Sequence, residues 1–150
     1  MPVTRVVLDT NVCLDLFVFH DPRWQAIVDG LIDGSVQAVT RADCRAEWLA
    51  VLHYQHLPVD DHKRPSIIAE FDRYIHISEP ISRAILLPKC SDKDDQKFLE
   101  IARDAEVDIL ITKDKALLKL AKKTSAAALF QIMTPETYLK QKMMMQTQIQ

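Results

Sequence analysis

Short aliphatic runs alternate with helix-period segments along this chain, and that alternation narrows its fold more than any other feature. Residues 5–8 (RVVL) are a β-branched and aliphatic run ending at Asp9. Val12, Leu14, Phe17 and Val18 then recur at helical spacing, so a strand enters a helix. Trp24, Ile27, Val28, Leu31 and Ile32 mark an amphipathic helix after Asp21-Pro22, closed by Gly34, and residues 36–39 are a second short strand. Residues 43–54 suit a helix with Asp43 as its N-cap, and Pro65 begins another over residues 65–77 with Ile67, Ile68, Phe71, Tyr74 and Ile75 as its stripe. Residues 84–87 read as a strand or an extended connector.

From Ser91 the signals sharpen. Ser91 or Asp92 caps a helix faced by Phe98, Leu99, Ile101, Ala102 and Ala105, and residues 108–112 (DILIT) are a buried-strand run. A helix through Leu117, Leu118, Leu120 and Ala121 follows, then a strand within 127–133 and a helix over 135–142. The pattern predicts an α/β fold, a three-layer α/β/α arrangement around a central, mostly parallel sheet. We expect one domain over residues 1–142, with residues 143–150 (MMMQTQIQ) a fraying tail.

Composition removes whole classes of function. Gly30 and Gly34 are the only glycines in 150 residues, too few for a phosphate-cradling loop, so P-loop and Rossmann nucleotide chemistry is excluded. Both glycines read as helix-end punctuation. Cys13, Cys44 and Cys90 are odd in number and lack a C-x-x-C pair, which argues against a disulfide framework or a zinc knuckle. With no export-type apolar segment and no run approaching a membrane span, the expected location is cytoplasmic.

In a parallel sheet the working crevice lies at the carboxyl ends of the strands. Asp9 ends the first strand, and Asp114 follows the DILIT strand after Thr112 and Lys113. Asp95 stands one turn before Phe98 and Leu99, at the top of an apolar helix face. Glu47 has Ala50, Val51 and Tyr54 at i+3, i+4 and i+7, a stripe expected to pack inward. Each acid alone is open to a reading as a helix cap, a dipole partner or an exposed edge. Together, four acids aimed at one crevice repel one another unless a divalent cation joins them. Oxygen ligands without histidine or cysteine favour Mg²⁺ or Mn²⁺, and the chemistry that fits is phosphodiester hydrolysis.

These residues resemble a family. The segments VVLDTNV (6–12), CSDKDDQKFLEIA (90–102) and DILITKDKALLKL (108–120) are similar to the three motif blocks of PIN domains, in particular the VapC-like nucleases of bacterial toxin-antitoxin modules, over residues 6–138. The resemblance implies that Asp9, Glu47, Asp95 and Asp114 are the catalytic, metal-binding acids. Asn11 and Thr112 would support them, with Asp92 as an outer partner. It further implies a Mg²⁺- or Mn²⁺-dependent endoribonuclease acting on RNA, held by a cognate antitoxin protein and often a homodimer. The other reading is a catalytically inactive PIN-like module that binds RNA or a protein. A haloacid-dehalogenase-like phosphatase is excluded, because Asn11 stands where that chemistry needs an acid.

Lys115, Lys119 and Lys122 fall along one helical face and are candidate RNA-phosphate contacts, or else a solubilising surface. Arg41 and Arg45 are open to the same two readings. His53 and His56 read as surface or packing residues, and Trp24, Trp48 and Tyr54 as core.

Overall fold

The aliphatic runs pair into one five-stranded sheet in the order β3-β2-β1-β4-β5, every neighbouring pair parallel. The computed structural model describes residues 2–149, with side chains through residue 145. The strands are β1 (Thr4–Leu8), β2 (Val36–Thr40), β3 (Ile75–Ile77), β4 (Ile109–Ile111) and β5 (Gln131–Met133). Eight α-helices accompany them among the described residues: α1 (Thr10–Phe17), α2 (Gln25–Asp33), α3 (Ala42–Val51), α4 (Arg64–Tyr74), α5 (Gln96–Asp104), α6 (Lys115–Leu118), α7 (Ala121–Ala126) and α8 (Pro135–Ile149).

Alternate residues of each strand feed two separate cores, because successive strand side chains point to opposite faces. Val6, Leu8, Ala38, Ile111 and Met133 pack with α1, α2, Trp48, Phe71 and Tyr138 on one side. Val7, Val39, Leu110 and Ile132 pack with Phe98, Leu99, Ile101 and Leu117 on the other. This is the three-layer α/β/α arrangement, and all of its pairings are parallel. Among the described residues no helix is long and apolar enough to cross a membrane.

Several boundaries differ from expectation, each for a local reason. The helix predicted over 65–77 ends at Tyr74, and its last three residues become β3, where Ala38 pairs with Ile75 and Thr40 with Ile77. Residues 84–87 form no strand; the connector is pinned by Arg103 Nη1 on the Ile85 carbonyl (3.0 Å) and by Gln96 Nε2 on the Pro88 carbonyl (3.1 Å). The single helix expected after Asp114 is two, because the chain tightens where the Leu120 amide bonds to the Leu117 carbonyl (3.0 Å) and Leu120 turns inward. Arg41, not Asp43, occupies the N-cap position of α3 without a side-chain cap bond, and the Asp43 carboxylate takes the Arg41 guanidinium. Tyr54 is exposed, while Trp24 and Trp48 are core. Helix α8 continues into the segment set apart as a tail, whose last residue, 150, lies outside the described residues.

Only one glycine is punctuation. Gly34 closes α2 at φ 85°, the left-handed conformation that a Cβ disfavours. Gly30 lies inside α2, where a Cβ would stand 2.6 Å from Val36 Cγ2, so it sets how closely α2 lies on β2. Gly30→Ala is therefore expected to destabilise the protein by about 1–3 kcal/mol through overpacking. Thermal denaturation checks this: an unchanged or raised melting temperature would mean that Val36 yields freely.

Candidate metal centre

The strand order reverses between β1 and β4, and the crevice at a reversal is where such sheets bind. Leu8 pairs with Ile111, which brings the residues after both strands together. Asp9, 4% exposed, caps α1 through Oδ1 on the Val12 amide (3.1 Å), while its Oδ2 accepts the Thr112 hydroxyl. Thr112 Oγ1 in turn accepts the Asp114 amide (3.0 Å), and Asp114 Oδ1 caps α6 on the Ala116 amide (2.8 Å). The capping reading and the crevice reading are both true of Asp9 and Asp114: the helix ends hold these acids at the strand ends.

The third side comes from the start of α5. Asp92 caps a 3₁₀ turn, Lys93–Asp95, by accepting the Asp94 amide (3.0 Å), and the turn delivers Asp95. One carboxylate oxygen from each of Asp92, Asp95 and Asp114 lies within 4.8 Å of the others. The surrounding cleft holds about 210 Å³, and Asp9, Thr10, Asn11 and Glu47 complete its polar lining.

The electrostatics of this cleft are those of a missing positive charge. Asp95 Oδ2 is enclosed with no donor to satisfy it. Burial, then the hydrogen bond and charge of Asp114, then the charges of Asp92 and Asp9, push the Asp95 carboxyl up to about 8. Asp114 is lowered by its hydrogen bond with Asp95. Asp9 is raised by its burial, against the Thr112 hydrogen bond. An oxygen-only donor set with an orphaned buried carboxylate oxygen suits a hard divalent cation.

Glu47 reaches the cleft, though not for the reason its spacing suggests. Ala50 and Tyr54 are exposed, and α3 buries Cys44, Trp48 and, just beyond its end, Leu52. Glu47 borders that stripe, with Oε2 accepting the Thr10 hydroxyl and Oε1 paired to Lys97 Nζ at 3.1 Å. Thr10 and Lys97 are site residues that sequence reading missed. Their signal was position alone: one lies inside the D-T-N motif, the other between Asp95 and Phe98.

Lys115, Lys119 and Lys122 are exposed on α6, α7 and the turn between them, so no single helix carries them, and Lys122 lines a separate hollow against Ile132 and Thr137. Arg41 is held by Asp43 (2.7 Å) and Glu100 (2.8 Å), and Arg45 by Asp72 (2.8 Å), which ties both to structural pairs. His53 and His56 are exposed. A larger cavity of about 570 Å³ opens at the other end of β4 and β5, but its arginines are already engaged, Arg83 by Glu106 and Arg103 by Asp104, each at 2.7 Å.

A family model described as PIN domain matches residues 5–116. The chain belongs to the PIN-domain family. PIN domains are generally metal-dependent nucleases that use divalent ions, and the matched span of this PIN domain contains every acid of the cleft. Comparison with curated proteins gives no match.

Proposed function

We propose that this PIN domain is a Mg²⁺- or Mn²⁺-dependent endoribonuclease acting as the toxin of a toxin-antitoxin module of the VapC-like kind. The convergence of Asp92, Asp95 and Asp114 around an unsatisfied carboxylate oxygen at the strand-order reversal carries this reading. Asp95, Asp114 and Asp92 hold the cation, and Asp9 adds charge from behind them. When bound, the ion supplies Lewis-acid charge at a phosphodiester and acidifies a water. Thr112 keeps Asp9 and the Asp114 backbone in register, and Asn11 offers a polar contact at the mouth. Lys115, Lys119 and Lys122 attract the RNA backbone toward the acids, as counter-charges that need no base specificity. The partners are then an RNA substrate and a cognate antitoxin protein, a reading supported by the motif blocks shared with VapC-like nucleases.

Asp9→Asn tests the function. Asparagine caps a helix about as well as aspartate, so the fold survives. With Mn²⁺ present, RNA cleavage is expected to fall by roughly 100-fold or more, the scale of losing one electrostatic stabiliser, and growth arrest on expression is expected to disappear. A variant that arrests growth as the parent does would sink the nuclease reading and leave a binding module.

A further inference from the structure

One fixed positive charge borders the cleft, paired to its lining acid Glu47. Lys97 follows Asp95 by two residues on α5, and its side chain is only 17% exposed. Its ammonium is engaged on three sides: by Glu47 Oε1 at 3.1 Å, by the Asp94 carbonyl, and by the face of the Phe98 ring at 5.1 Å. Glu47 is equally committed, since its second oxygen accepts the Thr10 hydroxyl. The oxygens that converge tightly are those of Asp92, Asp95 and Asp114, without Glu47. Holding a lysine stem in one conformation costs about 1.5–2 kcal/mol of side-chain entropy, and a pair this far out of solvent must also offset the desolvation of both charges. A lysine fixed this way at the edge of five acids is better explained by those acids than by stability.

We propose that Lys97 is the built-in second cation of the cleft. It reserves Glu47, so that the cleft takes one divalent ion on the side of Asp92, Asp95 and Asp114, and a second ion could use Glu47 only by displacing the ammonium. The inference rests on the metal-site reading above. It gives Glu47 a positioning role, that of holding Lys97, in place of the direct metal-ligand role that the family resemblance implies.

Mn²⁺ titration of the purified full chain by calorimetry tests it without reference to activity. The parent is expected to bind one ion. Glu47→Gln is expected to keep one ion with less than about a fivefold change in affinity, roughly 1 kcal/mol. Lys97→Met, which frees Glu47, is expected to bind a second ion or to bind the first at least about fivefold tighter, and Lys97→Arg to behave as the parent. Two ions in the parent, a loss of about fivefold or more in Glu47→Gln, or a Lys97→Met isotherm superimposable on the parent's would each overturn the proposal. If Lys97→Met does not fold, Glu47→Gln decides alone. Asp95→Asn separates the two readings. If it binds Mn²⁺ as well as the parent does, or the parent binds none, the metal-site reading fails and the proposal with it. Loss of binding in Asp95→Asn leaves the fate of Lys97 to the other variants.

Discussion

At pH 8 the metal-free Asp95→Asn protein is expected to melt above its parent, by about 2–4 °C. The Asp95 carboxyl titrates near 8 in the folded chain, against an ordinary value of 3.8. Between those values the native state holds a proton that the unfolded chain has released. This term therefore makes stability fall as pH rises from about 4 to about 8, and it is absent below the lower value. Asparagine is neutral throughout, so its advantage over the parent grows across that window and levels off above it. Solvent reaches part of this carboxyl and screens it, which keeps the gain to the order of 1 kcal/mol. Mn²⁺ is expected to reverse the order, since ligand binding stabilises only the chain that binds. Melting curves at pH 5 and pH 8, with and without Mn²⁺, check both signs. A variant less stable than the parent at pH 8 without metal would show that the acids do not repel.

Trp48→Ala carries the largest expected loss of stability, about 3–5 kcal/mol, or a fall of roughly 10 °C or more in melting temperature. Trp48 is 1% exposed, stacks on Phe71 with centroids 5.0 Å apart and meets Phe17 edge-on at 6.3 Å. Those three rings tie α1, α3 and α4 together under β1 and β2. Its indole Nε1 is buried without a partner, so Trp48→Phe keeps most of the ring contact and removes an unsatisfied donor. It is expected to cost far less than alanine. Equal losses in the two variants, measured by thermal or urea denaturation, would mean that the orphaned indole is not a burden and that ring size alone matters.

What could be read from the chain was what local chemistry decides. An aliphatic run followed by an acid specified β1 with Asp9 and β4 with Asp114, because an aspartate there caps the helix that the strand feeds. The helix at Phe98 and Leu99 was legible from its period. The misses are residues whose state is set by distant partners. Ile75 continues a helical stripe, yet β2 offers an open edge and takes it as β3. Leu120 belongs to the same apolar period as Leu117, but a tightened turn divides the helix there. Glu47 entered the site from a stripe of which only Val51 packs inward, Ala50 and Tyr54 being exposed, because α3 is placed by Trp48 and not by Tyr54. Lys97, one base among many in a charged segment, acquires meaning only when α3 and α5 meet.

The pairing of β1 with β4 also has a consequence in time. The hydrogen bond from Thr112 to Asp9 spans 103 residues of sequence, and no strand lies between β1 and β4 in the sheet. Contacts of such long range form late, since the entropy of closing the loop must be met before they return anything. A chain still emerging from the ribosome has β1, β2 and β3 available for pairing while Thr112 and Asp114 are unmade. The cleft is thus assembled from both ends and the middle of the matched span, and a truncated product carries only some of its acids. On the proposed function, a chain with this connectivity has no complete acidic cleft during most of its own synthesis, when the message that encodes it is the nearest RNA.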